Sequence, residues 1–372
     1  TGPVVMTMPG LLDDALAAAG SSRAGVGLRM RRLDPAYRAV YADGSELLVR
    51  ASTEGTRAEV ERACGPDEAR SFDRFVAWLE HLYDLELDSF IARNYDSPLD
   101  LAADPLAAAR LLRAGGLGRL GPAVGRYFRD DRLTRLFSFQ ALYAGVAPAT
   151  ARAVFAVITY MDSIAGVFYP EGGMREIPRA MGTALERAGV PLRYDTEVAA
   201  VLRRSDGAVA GIRCAHGERI AADAVVCTLD LPVAYRTLVP ELPVPRALVR
   251  GSYSPSAVVW HVGAAGLPRP GVAHHNIHFG ADWDGAFTAL IDRGELMPDP
   301  SRLVTIPSIG DPTLAPAGHS TLYVLEPVPH LGGRVDWRSE REPMRERLFA
   351  FLTEHGYPTD IRAEHLVDPL DW

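Results

Sequence analysis

The chain has 372 residues, 48% of them hydrophobic, with 34 glycines, 28 prolines and a net charge of −8. That length buries a sizeable core and accommodates two domains, and the interspersed charges leave no basic surface for nucleic acid. All 39 cationic side chains are arginine, which excludes Schiff-base chemistry and a Walker-type phosphate lysine within this sequence.

Cys64, Cys214 and Cys227 are scattered and odd in number. They suggest no disulfide framework and fit a reducing cytoplasm, with Cys227 expected as a small buried hydrophobe. The longest uncharged apolar run, residues 136–151, covers 16 positions and carries Gly145 and Pro148. It is too short and too broken to span a bilayer, and no signal-peptide pattern is visible.

The opening TGPVVMTMP is an extended run leading into a helix. YRAVYADGSELLVR (37–50) alternates on both sides of Asp43-Gly44, a hairpin signal. Thr56 and Glu59 have capping-box spacing, Gly65-Pro66 supplies a stop, and Phe72, Phe75, Leu79 and Leu82 recur at helical spacing. Asp104-Pro105 reads as an N-cap and first-turn proline for the helix LAAARLLRA. The hexapeptide GLGRLG (116–121) matches G-x-G-x-x-G letter for letter. That fingerprint, however, needs a strand before it and an acidic residue about 20 positions later. Here a helix precedes it, Gly115 stands where a C-cap glycine belongs, and LFSFQALY (136–143) contains no acid. The segment is expected to be a helix–helix loop.

YFRDDRLTRLFSFQALY (127–143) gathers Asp130, Asp131, Arg132 and Arg135 before an aromatic helix. Two readings stand: a solvated helix start with acids at the positive dipole end, or a carboxylate–arginine pair at a cavity mouth. Phe137, Phe139 and Tyr143 have the spacing of core aromatics. In GVFYPEGGMREIPRAM (166–181), Tyr169-Pro170 forces an extended approach and Gly172-Gly173 removes two side chains just before a helix. This is either an ordinary loop-to-helix junction or a place where backbone must come close to a flat ligand.

From residue 190 onward, five short β-rich runs are punctuated by Asp206-Gly207 and His216-Gly217. They read as a strand, a three-stranded meander and a buried strand AVVCT that ends at Asp230. Residues 254–328 are again strand-rich and 338–355 helical. In a strand, His274, Asn276 and His278 share one face. A metal set would need His330 or Asp282 to fold back, so polar lining of a cavity or interface is the better reading and no metal is expected.

In this order, TGPVVMTMP, FRDDRLTRLFSF, FYPEGGM, YSPSAVVWHVG, AHHN, DPTLAPAGHSTLYVLEPVP and the terminal PLDW resemble the bacterial-type phytoene desaturase family. These are flavoproteins that dehydrogenate carotenoids, and the resemblance covers nearly the whole chain. It implies FAD and an α/β fold: a Rossmann-like FAD-binding domain with an interleaved α+β substrate domain. The FAD domain is expected to be incomplete here. The family's Gly-rich fingerprint lies just upstream of the TGPVVMTMP segment, and a flavin-contacting segment lies downstream of PLDW. Residues 1–20 and 186–234 would belong to the FAD-binding domain, and 21–185 and 235–372 to the substrate domain.

The implied cofactor contacts are Gly2, Pro3, Gly172, Gly173, the backbone of Val198, and Asp230 near the flavin edge. Phe139, Tyr143, Tyr169, His274 and Asn276 would face the substrate, and Asp130, Asp131 and Arg135 form the implied catalytic group. Family members often carry arginine at the place of Thr134, so that role would pass to Arg135 or Arg132. The implied reaction is desaturation of a C40 isoprenoid such as phytoene, with a hydride going to flavin and a proton to a base or solvent. Carotenoid isomerases and ketolases share the scaffold, and a non-catalytic isoprenoid-binding protein is the alternative of another class. A water-insoluble substrate further implies a cytoplasmic protein docked peripherally on a membrane surface, with LLRAGGLGRLGPAV as the candidate patch.

Overall fold

The structure, a computed structural model, describes residues 4–87, 91 and 104–372; Gly2 and Pro3 lie outside the described residues. The chain divides into two compact units. One comprises the residues up to Ala184 together with Ser254–Trp372, and the other is Leu185–Tyr253.

In the first unit, α1 (Pro9–Ala18) and the short β1 (Met30–Arg32) precede the hairpin of β2 (Tyr37–Tyr41) and β3 (Glu46–Val49). Asp43-Gly44 forms its turn, with Gly44 at φ 80° and Tyr41 N–H donating to the Ser45 carbonyl at 3.0 Å. α2 (Thr53–Cys64) begins one turn earlier than the Thr56–Glu59 spacing suggested. Ser52 is the cap, accepting from Gly55 N–H at 3.0 Å. Thr56 instead accepts the Arg50 N–H at 2.9 Å, and Glu59 is engaged by Arg50 and Arg62. Gly65 at φ 92° ends α2, and Pro66 opens α3 (Pro66–Glu86), which buries Phe72, Phe75, Leu79 and Leu82.

α4 (Pro105–Arg113) is capped by Asp104, which accepts from Ala107 N–H at 2.9 Å. GLGRLG then bridges to α5 (Leu120–Val124), with Gly115 at φ 79° just before it. The element directly before the hexapeptide is the helix α4, not a strand. α6 (Asp131–Leu136) does not continue through the aromatic run; Phe139–Ala144 is a 3₁₀ turn. Ser138 Oγ donates to the Thr134 carbonyl at 2.6 Å and Gln140 Nε2 to the Leu136 carbonyl at 3.2 Å, so side chains compete for helix acceptors. α7 (Ala156–Thr159) runs into a π-helical turn, Tyr160–Ile164, then β4 (Phe168–Pro170), which pairs with β1, and α8 (Glu176–Arg187).

The second unit holds the meander β5 (Val198–Arg203), β6 (Val209–Cys214) and β7 (Arg219–Ala221), then α9 (Leu231–Thr237) and α10 (Arg246–Arg250). The run at 191–194, expected as the first strand, and AVVCT (224–228) form no strand and join no ladder among the described residues. Val226 is 90% exposed and Cys227 is exposed, contrary to its reading as a buried hydrophobe. A continuous apolar run makes a buried strand only where neighbours supply a ladder and cover both faces.

The chain returns to the first unit with β8 (Ser256–Ala265), β9 (His275–Phe279), α11 (Trp283–Phe287), β10 (Arg302–Thr305), β11 (His319–Val328), α12 (Trp337–Glu354) and β12 (Asp360–Val367). Its seven-stranded sheet has the order β12-β8-β11-β10-β9-β2-β3, antiparallel except where β2 runs parallel to β9. Val258, Trp260, Val304 and Val324 pack with Met344 and Leu348 of α12. A separate core joins Tyr37, Ile277 and Phe279 to Phe72, Phe75 and Phe137 of the helical half. No helix of the described residues is long and apolar enough to cross a membrane.

Candidate active site

Strand alternation decides what faces the helical half. Leu303 stands opposite both Leu325 and Ile277, so these three share a face with Tyr37 and Phe279. That face floors a cavity of about 380 Å³, walled by Phe139 and Tyr143 of the 3₁₀ turn and by Trp283 of α11. The volume lies within the range of small-molecule sites. Phe279 stacks on Tyr41 at 5.3 Å and meets Trp283 edge-on at 5.6 Å, fixing the aromatic wall. Polar groups around it are few, and several are already engaged: Arg302 pairs with Glu326 at 2.7 Å, and Ser301 Oγ accepts from Gly280 N–H. Tyr143 lines the cavity with about half of its surface exposed, while its hydroxyl end is buried against that of Tyr37. Burial raises both phenols above their usual range, so both are neutral.

A second cavity, about 540 Å³, lies farther along the same face, between Val4, Tyr169 and Met174 above and His261, Thr321 and Tyr323 on the floor. Tyr323 here and Leu325 of the first cavity are successive same-face residues of β11, roughly 7 Å apart along the strand. His261 Nε2 and Thr321 Oγ1 are buried without a hydrogen-bond partner, which costs about 1–3 kcal/mol for each such group. Gly172 and Gly173, at φ 85° and 94°, bring bare backbone beside Tyr169, and Gly172 N–H donates to Asp311 Oδ2 at 2.7 Å. A flat ring with polar edges satisfies these orphaned atoms, and the residues present fit an isoalloxazine. In the second unit, Val198, Val201 and Ile212 line an apolar groove of about 710 Å³ with residues 225–229. Asp230 precedes α9 without making a capping bond.

The other expected site residues are dispersed. Asp130 caps α6, accepting from Arg132 N–H at 3.0 Å, and pairs with its guanidinium at 2.6 Å, which holds the carboxyl below its usual range. Asp131 is exposed and pairs with Arg135 at 2.6 Å. Arg135 donates to the Gly280 carbonyl at 2.7 Å and lies 5.8 Å over the Trp283 ring. Of the three, Arg135 reaches the cavity wall, and neither carboxylate lines the cavity. His274 meets Tyr169 at 4.4 Å and lies 3.5 Å from Arg31. Asn276 spends its amide inside the sheet, donating to the Ala273 and Val304 carbonyls at 2.7 and 3.2 Å. Burial pushes His274 and His278 down to about 3, keeping both neutral. The metal-like grouping among the described residues is elsewhere, Cys214, His216 and Glu218, and Arg193 already pairs with Glu218 at 2.7 Å.

Sequence reading missed Tyr37, Leu303, Leu325 and His261, which strand parity alone could have grouped, and Trp283, which enters the cavity from α11. It also missed Asp162, the lone charge within AVFAVITYMDSIAGVFY.

Comparison with known proteins gives the family. Residues 5–266 match the model of the flavin-containing amine oxidoreductases. A phytoene dehydrogenase of Streptomyces griseus is 46% identical over 380 aligned residues, covering 100% of this chain and 73% of the relative. A zeta-carotene-forming phytoene desaturase of Myxococcus xanthus is 32% identical, covering 100% and 72%. Among solved structures, an oxidoreductase from Methanosarcina mazei superposes with a TM-score of 0.53 at 16% identity, covering 91% of this chain and 70% of that one. The chain belongs to the bacterial-type phytoene desaturases, within the flavin-containing amine oxidoreductase family.

Proposed function

We propose that the protein is an FAD-dependent desaturase of a long isoprenoid hydrocarbon, phytoene or a related carotenoid precursor. The observation that carries this reading is the shared sheet face: an apolar, aromatic-walled cavity whose floor continues, two residues along β11, into the flavin-fitting pocket. Flavin supplies the two-electron oxidation when bound. The protein's share is placement. Tyr169, Met174, His261 and Thr321 hold the ring, while Phe279, Trp283, Leu303 and Leu325 grip a hydrocarbon and exclude water, bringing one C–C bond within reach. An unactivated hydrocarbon has no polar handle, which agrees with a lining of rings and aliphatic chains.

Transfer of a C40 chain through water costs on the order of tens of kcal/mol at ~0.8 kcal/mol per CH₂. The substrate is therefore taken from a bilayer to which the protein docks peripherally. Leu112 and Leu117, at 62% and 47% exposed, lie in the candidate segment and Leu106, 60% exposed, just before it; Arg110, Arg113 and Arg119 are exposed beside them. The test is anaerobic incubation of the full-length, flavin-loaded protein with phytoene in liposomes. Bleaching of the flavin together with a conjugated polyene product is the expected result. Tight uptake of phytoene with flavin left oxidised would replace the enzyme with an isoprenoid carrier.

A further inference from the structure

Asp162 sits in the π-helical turn Tyr160–Ile164, 1% exposed, behind the cavity wall. A buried carboxylate is expensive unless an opposite charge answers it. Among the other buried carboxylates of this unit, Glu326 has Arg302, Asp368 has Arg341, and Glu68 accepts two backbone N–H groups of the 129–130 segment, whereas Glu86 of α3 lacks an ion-pair partner among the described residues too but does not bond to a residue lining the cavity. Asp162 forms no ion pair among the described residues. Its neighbours are neutral donors. Ser163 Oγ donates to Oδ1 at 2.6 Å, Gln140 Nε2 to Oδ1 at 3.3 Å, and Tyr37 O–H to Oδ2 at 3.3 Å. Thr159 Oγ1 donates to Gln140 Oε1 at 3.1 Å and locks that amide. Tyr37 in turn interacts with Tyr143, and of these two cavity-lining phenols Tyr143 is the exposed one. The groups facing this network from other elements are Phe139, T-shaped to both phenol rings, and His275, 5.7 Å from the Tyr37 ring and kept neutral by burial.

We infer that Asp162 is the proton reservoir of the desaturation, reached from the substrate through Tyr143 and Tyr37. The inference rests on the desaturase reading above. One carbon of the reacting bond gives its hydride to the flavin, the oxidant. The neighbouring carbon gives a proton, and the electron pair of that C–H bond becomes the π bond. The Tyr143 oxygen accepts the proton as its own passes to Tyr37, and the Tyr37 proton passes to Asp162 Oδ2. Both phenols are neutral before and after, and one carboxylate has become a carboxylic acid. The proton leaves by the same route once the product has gone. Burial pushes the Asp162 carboxyl up to about 7, against the pull of Ser163, Gln140 and Tyr37, so the accepting form grows as pH rises through neutrality. Asp162 is thus a positioning and proton-holding residue, while Tyr143 touches the substrate.

The experiment uses the full-length, flavin-loaded protein with phytoene liposomes, under anaerobic single turnover from pH 6 to 9. Wild-type flavin reduction should quicken as pH rises through about 7. Asp162→Asn should slow it about 100-fold at pH 8, abolish that pH dependence and leave phytoene affinity unchanged, with partial recovery in Asp162→Glu. Tyr143→Phe, which keeps the buried carboxylate hydrogen-bonded, should give a comparable loss and serves if Asp162→Asn does not fold. Infrared spectra of the substrate-free protein supply a readout independent of turnover: a protonated-carboxyl band that disappears near pH 7 and is missing from Asp162→Asn. An unchanged rate and pH profile in either variant would falsify the relay, as would loss of phytoene affinity in proportion to rate. If wild type reduces no flavin with any isoprenoid while the carboxyl band titrates as stated, the desaturase reading has failed; if flavin is reduced but no such band titrates, the relay has.

Discussion

At the scale of single residues, burial sets the chemistry more than pairing does. His278 donates to or accepts from the Tyr357 hydroxyl at 2.8 Å and is hemmed by His355 and by Arg38, Arg302 and Arg269. Its folded value of about 3 lies below its ordinary 6.5. Between those values the unfolded chain binds a proton that the folded chain refuses. Its contribution is therefore intact above about pH 6.5 and is lost as pH falls towards 3, at about 1.4 kcal/mol per pH unit. His278→Gln keeps a partner for Tyr357 and removes the titration. At pH 5 the wild type should have lost about 2 kcal/mol more of its pH 7 stability than the variant has; parallel denaturation midpoints at both pH values would refute this. The same burial explains why the site was only partly legible. The His274–His278 cluster advertised itself by residue type, yet Asn276 is consumed by the Ala273 and Val304 carbonyls and His278 by Tyr357. Leu303 and Leu325 have no chemistry to announce them, and only their parity on paired strands brings them to the cavity.

At the scale of elements, local signals were read well where one side chain decides the outcome. Asp43-Gly44 makes its hairpin and Asp104-Pro105 its helix start, since both act within four residues. AVVCT and the aromatic run after α6 were misread because their state depends on distant ladder partners and on Ser138 and Gln140 competing for helix carbonyls. α4 presents two distinct faces. Ala107 and Leu111 turn inward, while Leu106 and Leu112 stand out beside exposed Arg110 and Arg113. On an anionic bilayer, each leucine that inserts contributes about 1.5–3 kcal/mol and each nearby arginine about 1 kcal/mol. Replacing Leu112 and Leu117 with serine should weaken sedimentation with anionic vesicles on the order of 100-fold. The melting temperature should not change, because both side chains already face solvent. Undiminished vesicle binding would move the proposed docking face elsewhere on the molecule.

At the scale of the whole molecule, the seven-stranded sheet separates two tasks by side-chain parity. Val304 and Val324 point to α12 and carry stability; Leu303 and Leu325, one residue away, floor the cavity. A bulky substitution on the cavity side should therefore leave the fold largely alone while shortening the space for substrate. Leu303 is the strongest test, since it stands between Leu325 and Ile277 at the centre of the floor. Leu303→Trp projects an indole into the 380 Å³ space instead of into packed core, so the usual overpacking cost of about 1–3 kcal/mol should be at its low end. Flavin content should be unaffected, because the flavin-fitting pocket is floored by His261, Thr321 and Tyr323. Desaturation of a long isoprenoid should fall at least about tenfold, the equivalent of 1.4 kcal/mol, and a shorter isoprenoid should be affected less. Product analysis with two chain lengths, alongside flavin absorbance and a melting curve, checks all three expectations. Equal losses for both lengths would mean the indole disturbs the reacting centre itself, and no loss for either would mean that the hydrocarbon does not run over this face of the sheet.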